Sequence, residues 1–181
     1  MATTDAQHGV MAIEDVMTTP APAGTADVLF DGESGLVREA LLRLLVDQRI
    51  GAIRNHGRLD EVWVAVAEIR DASPGSTTTH PAVVGDALTA AVPDADLVGR
   101  LDDGRFVMLF DRGRERSTLA RLADVRPAIE ERCGAAVVHV GAAAYPQHGF
   151  DVDELLEAAT VALGEAQAWP ISRTEVAPPG R

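Results

Sequence analysis

The chain has 181 residues, 46% of them hydrophobic, which suits one domain with an apolar core and short flanking segments. Its 28 acidic and 16 basic residues give a net charge of −12, which repels phosphate backbones and excludes a general nucleic-acid binder. All basic residues apart from histidine are arginines, so no lysine is available for a Schiff base or as a phosphate-binding ammonium.

Residues 1–26 are rich in Thr, Ala and Pro and read as a flexible N-terminal tail, with a short helix over 11–17. Leu36, Ala40, Leu41, Leu44 and Leu45 recur at helical spacing and predict a helix that ends before Gly57. Residues 62–69, rich in Val with one Trp, predict a buried strand. A polar loop over 71–80 leads into a helix over 83–92, stopped by Pro93. Segments 96–101 and 106–110 are short apolar strands, and Asp103-Gly104 between them is a two-residue hairpin signal. Ser117 is placed to cap a helix carrying Leu119, Leu122 and Ile129, and Pro127 predicts a kink or a division there. Residues 135–145 predict a third strand region, in which His139 faces away from Val138 and Val140. Asp151, with Glu154 three residues later, caps a last helix that buries Val152, Leu155, Leu156, Ala159 and Leu163. Residues 170–181 read as a flexible C-terminal tail, which leaves 27–169 as the folded domain. The fold class is α+β: a ferredoxin-like βαββαβ core, an antiparallel sheet with helices on one face.

Cys133 is the lone cysteine, so an internal disulfide is excluded, and no Cys/His set has zinc spacing. No basic stretch followed by an apolar run opens the chain. The longest apolar run, 134–145, is too short for a bilayer. The expectation is a cytoplasmic protein without a membrane partner.

Five segments carry a family resemblance over roughly residues 31–168. Asp31-Gly32-Glu33-Ser34-Gly35-Leu36 is similar to a DxLTGL opening, and Gly85-Asp86 to the end of a GHxxGD helix start. Residues 96–101 are similar to the strand before the signature, 141–146 to a GIAxYP segment, and 153–156 to the start of the last helix. In this order and spacing they resemble the GGDEF domain, the fold of cyclic di-GMP synthases.

The resemblance implies a site whose signature is altered. Where that family has Gly-Gly-Asp-Glu-Phe, this chain has Asp102, Asp103, Gly104, Arg105 and Phe106. Gly104 offers no carboxylate, and Arg105 puts a cation where a metal-binding acid is expected. Glu68 stands at the family's first metal ligand, and Asp86 survives as a guanine-edge acceptor. The lysine of the last helix aligns with Gln167, and an RxxD product-binding motif aligns with 93–96 without its arginine.

These residues support three readings. The first is a catalytically inactive regulatory or scaffolding domain in bacterial signalling, with a protein partner or homodimer and no cofactor or metal. The second is a non-catalytic receptor for GTP, cyclic di-GMP or another nucleotide, resting on Asp86 and Arg105. The third is a nucleotidyl cyclase in which Glu68, Asp102 and Asp103 form a rearranged metal site. Against that, Asp102-Asp103-Gly104 is ordinary turn chemistry, and Arg105 is suited to a cross-strand ion pair with Asp102 or Asp103.

Overall fold

A computed structural model describes residues 25–56, 61–72, 79–92, 97–113 and 115–180. The expected helix over 11–17, most of the 71–80 loop and the 93–96 motif lie outside the described residues. The elements are α1 (Thr25–Leu29), β1 (Val37–Arg38), α2 (Glu39–His56), β2 (Glu61–Asp71), α3 (Pro81–Ala91), β3 (Leu97–Arg100), β4 (Phe106–Gly113), α4 (Glu115–Cys133), β5 (Ala136–Tyr145), α5 (Val152–Gln167) and β6 (Arg173–Val176).

The six strands form one sheet in the order β1-β3-β4-β2-β5-β6. Its four central strands pair antiparallel and carry the expected βαββαβ core. The two edges differ from expectation: β1 joins β3 in parallel, and β6 joins β5 in parallel, so the sheet is mixed. Helices cover both faces rather than one. β2 explains this, because its whole middle is buried: Val62, Val64 and Val66 pack with α2 and α5, while Trp63, Ala65 and Ala67 pack with α3 and α4. A strand apolar on both sides needs cover on both sides.

α2 buries Leu42, Val46, Ile50 and Ile53, whereas Leu44 is 64% exposed. The expected stripe was Leu36, Ala40, Leu41, Leu44 and Leu45; Leu36 and Leu41 do pack, half-buried, against the core, but Ala40 and Leu44 are exposed. The neighbouring leucines satisfy two helical phases, and contact with the sheet selects the other one. α4 runs unbroken through Pro127, and Ser117 lies inside it rather than capping it. On α5 Asp151 is the cap, accepting the Glu154 N–H at 2.9 Å, and all five predicted apolar positions are buried.

The expectation of a flexible tail over 170–181 is corrected by β6. Arg173–Val176 pairs along 139–142, and beyond it the Ala177 N–H donates to the Ala142 carbonyl at 2.8 Å. Flanking prolines hide this strand in the sequence. It is the second strand of a β5-α5-β6 crossover, which only the packing of α5 makes possible. That packing is close: a Cβ on Gly141 would lie 2.1 Å from both the Ala159 carbonyl oxygen and the Leu163 nitrogen.

Candidate functional site

The β3–β4 hairpin closes through a Leu101 N–H to Arg105 carbonyl bond at 2.8 Å and a Gly104 N–H to Leu101 carbonyl bond at 2.9 Å. Its loop is therefore the three residues Asp102, Asp103 and Gly104, not the two expected. Gly104 at φ +92° supplies the left-handed step that such a loop requires.

Arg105 forms the expected ion pair with Asp103, at the hairpin loop rather than across strands. Its guanidinium turns back to Asp103, with Nε 2.7 Å and Nη2 2.5 Å from Oδ2, and reaches Thr160 of α5 at 3.3 Å. The bonds from Arg105 hold the Asp103 carboxyl below its ordinary pKa against the opposing effect of burial. Asp102 is exposed, and its N–H donates to Glu39 Oε2 of α2 at 2.9 Å. That N–H lowers the Glu39 pKa, assisted by Arg43. The hairpin is thus tied to both helices of one sheet face.

Ala67 pairs with Phe106, so the next position along β2, Glu68, lies beside Arg105. Both Glu68 oxygens are engaged: Oε2 accepts from Gln167 at 2.5 Å, and Oε1 lies 3.1 Å from Arg70 Nε. Arg70 also contacts Nδ1 of buried His139 at 3.3 Å, while Nε2 of that ring faces the Trp169 and Ile171 carbonyls at 3.1 Å each. Two carbonyls around Nε2 require a proton there, which leaves Nδ1 as the acceptor for Arg70.

Asp86 is exposed on α3, on the other side of the sheet from α5. Its neighbour Gly85 lets α3 approach the 31–36 turn, since a Cβ there would sit 3.0 Å from the Ser34 carbonyl. Asp31 organises that turn, accepting Ser34 N–H and O–H at 2.8 and 2.7 Å, and binds Arg100 at 2.9 Å. Burial raises the Asp31 pKa, but the Ser34 and Arg100 bonds outweigh it and bring it down to about 2. Arg100 also binds Glu33 at 2.7 Å. The structure therefore joins Asp103 to Arg105, places Glu68 against Gln167 of α5 on the same side of the sheet, and leaves Asp86 on the other.

The residues beside the turn do not fit a divalent metal. Such an ion needs several oxygen donors. Here Gly104 has no side chain and Arg105 is a cation; of the carboxylates of a rearranged site, Glu68 is bonded to Gln167 and Arg70, Asp103 is bonded to Arg105, and Asp102 stands exposed. Among the described residues no group of three or more His, Cys, Asp or Glu side chains is placed to hold a metal ion.

Sequence reasoning gave no role to Glu39, Arg70 or Arg100. Arg100 was visible just before the hairpin, but Glu39 and Arg70 gain their partners only through tertiary contact.

No profile of a known protein family matches the chain, and no curated protein matches it. Solved structures do. The coiled coil and GGDEF domain of DgcB from Caulobacter crescentus, in complex with c-di-GMP, aligns over 84% of this chain and 87% of its own, with a TM-score of 0.70 and 18% identity. The fold is that of a GGDEF domain. The diguanylate cyclase SiaD from Pseudomonas aeruginosa, in complex with its activator SiaC, aligns over 86% of this chain and 64% of its own, with a TM-score of 0.70 and 17% identity. The GGDEF domain of FimX from the same organism aligns over 81% and 99%, with a TM-score of 0.66 and 15% identity. No helix among the described residues is long and apolar enough to cross a membrane.

Proposed function

We propose that this chain is a non-catalytic GGDEF-fold domain that acts by binding a protein partner or a second copy of itself in signalling. One observation carries the reading: the Arg105 guanidinium, locked onto Asp103 and Thr160, occupies the hairpin position where the family signature has an acid. Phosphoryl transfer in this fold depends on metal ions and charge placement, and the protein supplies little else. The engagement of Glu68 by Gln167 and Arg70 supports the same conclusion. Incubation with GTP and Mg²⁺ or Mn²⁺, followed by chromatography, is expected to yield no cyclic dinucleotide. Turnover at ordinary enzymatic rates overturns the reading. Light scattering after size exclusion then separates a self-paired domain from one that awaits a different partner.

Asp86 favours a second reading, a receptor that keeps nucleotide without turnover, because its carboxylate is exposed on α3. Calorimetry with GTP and with cyclic di-GMP separates the two. A saturable heat abolished by Asp86→Ala supports the receptor, and heats equal to dilution remove it.

A further inference from the structure

The outer side of α5 carries a trough that none of the residues discussed so far requires to be open. Its main part is a cavity of about 560 Å³ between α5, the 146–150 turn and the segment after β6. That volume lies within the ~300–1,000 Å³ of ordinary ligand sites. A second hollow of about 310 Å³ continues it toward the β3–β4 hairpin, and the two share Glu157 and Val161.

The trough is lined by apolar and acidic side chains. Phe150 and Val161 are 62% and 53% exposed, and both line the main cavity. Ala158 and Ala177, small residues, line it as well. Glu154 and Glu157 line it with His148, and among the described residues no arginine does, although Arg54 donates to the Phe150 carbonyl. The adjoining hollow holds Arg43 and Arg105, each already paired, Arg43 with Glu39 and Asp153 and Arg105 with Asp103. The wall is built in advance: Gly180 N–H donates to the Gln147 carbonyl at 3.0 Å, and Glu154 Oε2 accepts from Phe150 N–H at 2.6 Å. A preformed wall lowers the ordering cost of binding.

We propose that this trough docks an amphipathic segment of a protein partner, one large apolar side chain entering between Phe150 and Val161 and flanking Lys or Arg side chains meeting Glu154 and Glu157. The proposal rests on the interaction-module reading and names its surface. Charge complementarity selects this occupant. Nucleic acid and anionic membrane surfaces are repelled by the same carboxylates. A second copy brings a further net charge of −12. The adjoining hollow reaches Thr160, the α5 side chain that Arg105 contacts.

The test uses the full chain and two labelled synthetic peptides, an amphipathic Leu/Lys helix and a charge-matched Ser/Lys peptide, read by fluorescence anisotropy. The Leu/Lys peptide is expected to bind at least about tenfold more tightly, because only it supplies the apolar anchor. Val161→Arg, and separately the pair Glu154→Gln and Glu157→Gln, are expected to weaken it by about tenfold or more. Asp124→Asn with Glu131→Gln, the same charge change on exposed positions of α4, is expected to alter it by less than about twofold. Val161→Ser replaces Val161→Arg if circular dichroism shows that the latter does not fold. Equal binding of the two peptides, or equal weakening by the α4 pair, means bulk charge alone and overturns the proposal. Self-association that Val161→Arg abolishes assigns the trough to a second copy and also overturns it. A peptide that binds tightly but shifts amide resonances away from α5 removes this surface and leaves the interaction reading standing. GTP turnover removes that reading without touching the peptide result.

Discussion

Gln167 of α5 donates its amide to the Glu68 carboxylate of β2 across 2.5 Å, one residue beyond the Ala67–Phe106 pair. Arg70 takes the other carboxylate oxygen. A metal must displace both to bind there. Adding Mg²⁺ to about 100 times a site's Kd would raise stability by about 2.7 kcal/mol. The expected outcome is no shift of the melting midpoint in millimolar Mg²⁺. A rise of that size, lost in Glu68→Gln, would refute the reading of Glu68 as an occupied carboxylate.

Arg105→Ala should raise the Asp103 carboxyl pKa, because the Arg105 side-chain hydrogen bond is the largest cause of its lowering, while the backbone N–H at 105 still donates to Asp103 Oδ1. A depressed carboxyl stabilises the fold above its unfolded pKa, and that contribution fades as pH falls through the folded value. The side chains of Arg105 and Asp103 are 25% and 49% exposed, so the loss at neutral pH should stay below about 1 kcal/mol. Carbon-13 titration of the Asp103 carboxyl checks the first point, and urea unfolding the second.

Asp31 has more at stake. Its pKa is held at about 2 against a model-compound value of 3.8, a difference worth roughly 2 kcal/mol at neutral pH. Asp31→Asn is expected to cost about that much and to leave Arg100 paired with Glu33 alone. The wild type should lose this contribution as pH falls from near 4 toward 2, while the variant shows a flatter acid limb over the same interval.

His148 makes the opposite kind of pH dependence. Burial pushes its pKa below the usual 6.5, and its Nδ1 accepts the Ala144 N–H at 2.8 Å, a bond that requires the neutral ring. The unfolded chain therefore binds the proton more readily, so stability is full above about pH 6.5 and falls as pH drops toward the folded pKa. His148→Leu should be less stable at neutral pH, by about 1–3 kcal/mol for the orphaned Ala144 N–H, yet lack that slope. Thermal melts between pH 5 and pH 8 would show whether the slope belongs to this ring.

Gly141→Ala is expected to cost more than about 3 kcal/mol, the upper end for ordinary overpacking, because the new Cβ meets helix backbone that has no rotamer to change. Gly164→Ala, in α5 with open space around it, should instead stabilise by about 0.5–1 kcal/mol. Chemical unfolding of the two variants side by side checks both signs.

Periodicity alone carried the central hairpin strands, the α5 face and its Asp151 cap, because alternation and helical spacing are written residue by residue. The cation Arg105 after the turn is likewise local and legible in one position. What the sequence left undecided has a common physical origin. The phase of α2 was ambiguous among adjacent leucines until the sheet chose Leu42, Val46 and Ile50. β6 has no pattern of its own and exists because α5 brings it back alongside β5. The partners of Arg105, Asp103 and Thr160, and those of Glu68, Gln167 and Arg70, depend on where side chains from different elements meet. One-dimensional pattern specifies which face of a segment avoids water, and only the packed molecule specifies what that face and its polar margins touch.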